Sequence, residues 1–297
     1  IEVEIRLGAS TNEVAAMLKE EKLIKSNLAY IIYSRLTFSK ISAGTHSVSP
    51  SMSIPEISAV LSGAGQTTYQ LTILPEMDMI DIKELLKQYD FTDAEINSAL
   101  TKQYNHPLLR DKPSGIDLEG YIFPDTYELE HSATVEDLFE MTFDNLYNKL
   151  STDGSFSLMN SRGFDIHETL TLASIVTKEA PDEKNQKIIA GVLWNRLDID
   201  MPLGCDPTYQ YAYKMGYCGE NLPSCDSTWN TRKHAGLPPG PIANMKYSTI
   251  QAVLKPTVNN YYYFVAGDGE YAGNIYYSAT EAEHIQNTYN YCRELCR

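Results

Sequence analysis

The sequence predicts an α+β protein in which a small N-terminal region joins a larger mixed α+β domain. Three observations carry this: recurrent helix-start signals, short segments of period-two hydrophobicity between them, and a polar, proline-containing break near residue 110. With 297 residues, 43% of them hydrophobic, the chain can build one large core or two ordinary ones. Its 24 basic and 39 acidic residues give a net charge of −15, which repels polyphosphate and argues against nucleic acid or an anionic lipid surface as the main partner. No run approaches the ~20 apolar residues of a bilayer-crossing helix, and Ile1-Glu2-Val3-Glu4-Ile5 reads as a strand, so any membrane anchor or export segment is expected outside this chain.

In order, Ile1/Val3/Ile5 predict a strand, and Ser10 to Glu13 has the S/T-x-x-E spacing that opens the first of two helices. A short strand near His46 to Val48 follows. Ser53 to Glu56 opens another helix, Tyr69/Leu71/Ile73 form a strand, and Thr92 to Glu95 marks the second of two further helices ending near Gln103. The polar stretch from Asn105 to Ser114 divides an N-terminal region, 1–110, from a second domain, 111–297. There a long helix starts at Thr134, with Val135, Leu138, Phe139, Phe143, Leu146 and Tyr147 on one face. Gly154 to Gly163 reads as a loop. Asp165 with Glu168 caps a helix from Ile166 to about Ala180, and Pro181-Asp182-Glu183 suits the first turn of the next. Met201 to Asn244, rich in Gly, Pro, Ser and Asn, is a long loop of the kind that shapes a site. Tyr261 to Ala266 and Asn274 to Ser278 are paired strands before a closing helix from about Glu281.

The five cysteines, at 205, 218, 225, 292 and 296, lie in the last third. Cys218 and Cys225 bracket a loop and can bridge in an oxidising compartment; Cys292 and Cys296 fall in the predicted closing helix, and the odd total leaves at least one thiol over. Tight C-x-x-C pairs are absent, and the histidines at 46, 106, 131, 167, 234 and 284 form no H-E-x-x-H, so neither a metal nor a cofactor is expected. The absence of G-x-S-x-G and of a glycine-rich phosphate loop removes serine-hydrolase and nucleotide chemistry.

Glu179 is the most informative residue. On the helix from Ile166 it shares a face with Leu172, Ile175 and Val176, a setting that penalises ionisation and lets a carboxyl carry a proton near neutrality. The plainer alternative is a helix-end carboxylate paired with Lys178, Lys184 or Arg196. Asp206 before Pro207 and Glu119 before Gly120 are either a second acid or turn-forming residues. Tyr209, Tyr211, Tyr213, Tyr217 and Tyr261 to Tyr263 suit stacking on sugar faces or ordinary strand packing. Asn230, Thr231 and Gly236-Leu237-Pro238-Pro239-Gly240-Pro241-Ile242 make a rigid wall with accessible amides, as an acetamido sugar would require.

These segments carry a resemblance. Ala173-Ser174-Ile175-Val176-Thr177-Lys178-Glu179-Ala180, Asn195-Arg196-Leu197, Asp206-Pro207-Thr208, the Gly236 to Ile242 loop, and Leu118-Glu119-Gly120-Tyr121-Ile122-Phe123-Pro124-Asp125-Thr126-Tyr127 closely resemble the MltG (YceG-like) endolytic murein transglycosylases. The similarity covers essentially the whole chain and implies a LysM-like N-terminal region, possessing one or two small subdomains, joined to a YceG-like catalytic domain. It implies a bacterial enzyme, tethered by one N-terminal membrane helix and facing the cell wall, that cleaves the MurNAc-GlcNAc bond of nascent peptidoglycan and leaves 1,6-anhydro ends. By the same resemblance Glu179 is the catalytic acid and then base, while Asp206, Thr208, Tyr211, Asn230, Thr231 and Gly236, Leu237, Pro238, Pro239 and Gly240 line the cleft. Cell-wall synthases are the implied protein partners. The chain departs from the family pattern at Thr177, where a glutamate is usual, at Trp229 and at Arg232 or Thr231, where tyrosines are usual, and near Ile275, where a histidine is usual; Cys218 and Cys225 are additions. A glycan-binding scaffold without activity and a hydrolytic muramidase are the alternatives.

Overall fold

Each of the three S/T-x-x-E signals in the first hundred residues starts a helix. The carboxylates of Glu13, Glu56 and Glu95 each accept the backbone N–H of Ser10, Ser53 and Thr92 at 2.7 Å, satisfying a donor that the first helical turn leaves free. The computed structural model describes residues 1–6, 8–37, 39–63, 68–130, 132–219, 221–294 and 296; His131 lies outside them. The chain divides into two compact units, one of Ile1–Thr72, Lys83–Ala99 and Thr126–Leu138, the other of Ile73–Ile82, Leu100–Asp125 and Phe139–Arg297.

Along the chain run β1 (Glu2–Ile5), α1 (Thr11–Glu20), α2 (Asn27–Leu36), β2 (Gly44–Ser47), α3 (Ile54–Leu61), β3 (Thr68–Thr72), α4 (Met79–Gln88), α5 (Asp93–Thr101) and β4 (Thr126–Glu130). They continue as α6 (Val135–Thr152), α7 (Ser155–Arg162), α8 (Ile166–Glu179), α9 (Glu183–Leu197), α10 (Asp206–Lys214), α11 (Tyr247–Leu254), β5 (Tyr263–Ala266), β6 (Ile275–Ser278) and α12 (Glu281–Tyr291). The protein is therefore α+β, with small antiparallel sheets.

In the first unit β1 pairs with β2, Val3 opposite His46 and Ile5 opposite Gly44, and α1 packs on α2. The alternation of β1 puts Val3 and Ile5 into a core with Val14, Leu18, Tyr30, Ile57 and Leu61. A second ladder joins β3 to β4, with Leu71 opposite Tyr127. In the second unit α8 packs against α9 and α11. Ile166, His167 and every residue of α8 from Thr169 to Thr177 are buried, so this helix is enclosed on nearly all sides. The β5–β6 hairpin and α12 complete this unit.

Several sequence expectations need correction. Gly154 and Gly163 do not bound a loop but flank α7, both left-handed at φ 81° and 71°, a conformation that suits a helix end and favours glycine. Pro181 precedes α9 rather than opening it: Asp182 is the N-cap, accepting from the Asn185 N–H at 2.9 Å. The 201–244 segment is not wholly loop, because Asp206-Pro207 starts α10 with proline in the first turn, where no backbone donor is needed. Cys292 caps the end of α12 and bridges to Cys296 beyond it; Cys218 bridges to Cys225, leaving Cys205 free and buried.

Candidate active site

Glu179 is the last residue of α8, a helix fixed at its start by the reciprocal Asp165–Glu168 cap, in which the Glu168 N–H donates to Asp165 at 2.8 Å. The residue as a whole is half-buried, but its carboxyl end is largely removed from water. Desolvation is the chief cause that raises its pKa to about 7. The Cys205 thiol, hydrogen-bonded to it, opposes that rise; the Asp206 charge adds to it, and Arg232 and Arg196 oppose it. Lys178 does not neutralise Glu179: its ammonium donates to the Glu76 carbonyl at 2.8 Å. The plainer sequence alternative of a lysine-paired carboxylate is thus not the arrangement adopted by Lys178.

The groups around Glu179 are held by buried polar contacts. The Cys205 N–H donates to Thr231 Oγ1 at 3.1 Å, the Thr231 N–H to Thr208 Oγ1 at 3.2 Å, and the two threonine hydroxyls lie 3.0 Å apart. These bonds rivet the start of α10 to the 230–232 segment and bring Asp206 against Arg232 in an ion pair. Arg196 donates to the carbonyls of Leu203 and Tyr262 and lies over the Tyr263 ring, which stacks on His284 at 5.3 Å. Burial, followed by Arg196 and Arg232, holds the His284 imidazole below the usual histidine range. Closing helix α12 therefore contributes His284 to the same charged surroundings.

The Gly236 to Ile242 loop is tied to α8 at two points. His167 Nε2 donates to the Pro239 carbonyl at 2.8 Å while Nδ1 accepts from the Tyr121 hydroxyl at 2.9 Å, and Ser174 Oγ accepts from the Ile242 N–H at 3.0 Å. His167 and Ser174 are seven residues apart, two helical turns, and so lie on one face of α8. That polar pair within an apolar helix was the available sequence signal for these anchors, and the sequence reading did not use it. Gly240 sits where a Cβ would come within 3.2 Å of Ile116 and 3.3 Å of His167. Leu237, Pro238 and Pro239, with His167, line an open cavity of about 420 Å³ whose lining does not include Glu179.

The other expected site residues divide. Asp206, Thr208 and Thr231 gather around Cys205 beside Glu179. Asn230 is fully buried and its amide donates to the Pro223 and Cys225 carbonyls. Tyr211 turns away to Glu119, donating to Oε2 at 3.3 Å, and the Met79 N–H donates to the same oxygen at 2.8 Å. Glu119 is fully buried, its Oε1 has no hydrogen-bond partner, and desolvation raises its pKa to about 8. Among the described residues, no cluster of three His, Cys, Asp or Glu is arranged to hold a metal ion.

The same fold occurs in a 2.6 Å crystal structure of a yceG-like protein from Listeria monocytogenes, which matches with a TM-score of 0.76 and 26% sequence identity over 96% of this chain and 98% of that one. The chain belongs to the YceG-like family, whose sequence pattern matches residues 3–290. It is 30% identical over 313 residues to the endolytic murein transglycosylase of Bacillus subtilis (strain 168), covering 96% of this chain and 82% of that protein. It is 29% identical over 325 residues to the endolytic murein transglycosylase of Streptococcus pneumoniae serotype 2 (strain D39), covering 97% of this chain. The chain spans only 57% of the length of that pneumococcal relative.

Proposed function

We propose that this protein is an endolytic peptidoglycan lytic transglycosylase that cleaves the β-1,4 bond between N-acetylmuramic acid and N-acetylglucosamine, with Glu179 as acid and then base. Membership in the YceG-like family and the names of the Bacillus and Streptococcus relatives support the substrate class. The single observation that carries the mechanism is a glutamate with its pKa raised to about 7 at the end of a buried helix. An acid of that strength is about half protonated at neutrality, so it can both give a proton and recover one.

In the first step the Glu179 carboxyl gives its proton to the glycosidic oxygen as the C1–O bond breaks. The 2-acetamido group of the muramic acid supports the positive charge that develops at C1. Glu179, now ionised, removes the proton of the C6 hydroxyl, whose oxygen closes on C1. The acid is regenerated, no water is consumed, and a 1,6-anhydro end remains. One carboxyl suffices because the nucleophile belongs to the substrate.

Residues 111–297 form the catalytic part in this reading, with Asp206, Thr208 and Thr231 shaping the wall beside Glu179. Tyr211, Asn230 and the Gly236 to Gly240 segment stiffen it. Residues 1–110 are a LysM-like glycan-binding region, supported by the β1-α1-α2-β2 order and the antiparallel pairing of its strands. None of the helices among the described residues is long and apolar enough to cross a membrane. An N-terminal membrane anchor outside this chain, with the catalytic part facing the wall and its synthases, completes the proposal. Mass analysis of products from purified glycan strands is the test: ends one water lighter than hydrolytic ends are expected. Hydrolytic ends would make the protein a muramidase, and uncut strands of every length would make it a binding scaffold.

A further inference from the structure

We propose that Tyr217 forms a saccharide-stacking subsite, set apart from the scissile bond, between the end of α10 and the disulfide-closed loop that follows it. This deepens the proposed function and rests on its substrate class. Tyr217 is 47% exposed, yet its ring is fixed: it stacks on Trp229 with ring centroids 5.5 Å apart and planes 8° from parallel. Trp229 is itself buried and meets the Tyr211 ring at 5.0 Å. The backbone agrees, because the Tyr217 N–H donates to the Ala212 carbonyl at 2.8 Å, and the next residue, Cys218, is bridged to Cys225. The Asn230 amide then holds the Cys225 carbonyl at 2.8 Å, so both ends of the short loop are secured.

A tyrosine restrained at backbone and ring and still half in water differs from an ordinary exposed aromatic. Tyr213 and Tyr289 are 48% and 75% exposed, and neither has a stacked ring partner among the described residues. With one face of Tyr217 resting on Trp229, the opposite face is the one that can receive a ligand. A pyranose fits such a surface because its row of C–H bonds meets the electron-rich face of the ring while its hydroxyls stay at the rim. Burial, followed by the charges of Asp117 and Glu119, holds the Tyr217 phenol in its protonated form. Pre-ordering the ring removes the cost of immobilising it on binding.

The position along the strand follows from α10. Asp206, beside Glu179, begins this helix of nine residues and Tyr217 follows its end, so the helix carries the backbone roughly 13 Å away from Asp206 at about 1.5 Å per residue. Tyr217 therefore meets a sugar beyond the disaccharide being cut, and its contribution grows with strand length.

The test is calorimetric binding of peptide-free GlcNAc–MurNAc strands to full-length protein carrying Glu179→Gln, with and without Tyr217→Ala. Affinity for strands longer than a tetrasaccharide is expected to fall about five- to ten-fold in Tyr217→Ala, while disaccharide binding changes little. Tyr217→Phe, which keeps the ring, is expected to recover most of the affinity, separating stacking from a general disturbance of the loop. Equal affinity of the Tyr217→Ala and parent proteins for long strands would overturn the subsite, as would an equal loss on the disaccharide. Neither outcome bears on product chemistry, and a failure of the wild-type protein to cut strands would leave this binding comparison intact.

Discussion

Glu119 and Glu179 are both carboxyls removed from water within one compact unit, and they differ in what surrounds the oxygens. Glu119 is enclosed entirely, with one oxygen fastened by the Met79 amide and the Tyr211 hydroxyl. Glu179 ends a helix, remains half-buried, and is surrounded by a thiol, a carboxylate and two guanidinium groups. Burial raises the pKa of both, to about 8 and about 7. A raised pKa therefore does not identify a catalyst; access to a reactant together with an environment that can stabilise either protonation state does. Helix α10 touches both, through Asp206 at one end and Tyr211 near the middle.

The contrast breaks most visibly on removing the acid. Glu179→Gln is expected to reduce strand cleavage by about 10³-fold, within the range of general-acid catalysis, while strand binding and thermal stability persist. Cleavage near the wild-type rate would transfer the role elsewhere. Glu119→Gln is expected to act on stability instead. Its folded-state pKa of about 8 exceeds the ordinary 4.5, so ionisation is penalised only in the folded protein: stability is full below about pH 4.5 and declines as pH rises towards 8. Urea unfolding at pH 5 and pH 9 is expected to show a wild-type loss on the order of 3–5 kcal/mol that the Gln variant lacks.

Gly120 sharpens the structural side of the same contrast. It lies next to Glu119 at φ 80°, and an added Cβ would sit 2.3 Å from the Pro241 Cβ. Gly120→Ala is expected to cost about 2–4 kcal/mol in chemical denaturation, through both the backbone conformation and the close approach to the proline loop. Smaller effects separate the charges beside Glu179. Asp206→Asn removes a group that raises its pKa, and Arg232→Gln removes one that lowers it. The alkaline limb of the cleavage profile is expected to move to lower pH in the first variant and to higher pH in the second. Movement in the same direction would show that the pair acts only on structure.

What the sequence made legible was local. The three S/T-x-x-E starts and the Asp165 cap are readable because donor and acceptor lie within one turn. Helical spacing set Glu179 beside Leu172, Ile175 and Val176 but left a paired helix-end carboxylate as the plainer reading; its role as the acid came from the resemblance of the surrounding motifs. Pairing of β3 with β4 spans more than fifty residues, and α11 lies between two irregular stretches, so neither carried a local signal strong enough to be read. The glycines at 154 and 163 looked like loop formers because the same left-handed freedom serves loops and helix ends alike. Convergence of Cys205 and Arg232 on Glu179 depends on how distant segments pack. Tyr211 was grouped with Asp206, but five residues in a helix rotate a side chain by about 140°, which turns it to another face and towards Glu119.

The most direct measurement is a pH titration of the Glu179 carboxyl by ¹³C NMR, its resonance assigned by comparison with Glu179→Gln, set beside the pH dependence of kcat/KM for strand cleavage. The titration is expected to have its midpoint at about pH 7 and to coincide with the loss of activity on the alkaline side. A midpoint near the ordinary 4.5, with activity unchanged through neutrality, would contradict a neutral Glu179 as the proton donor.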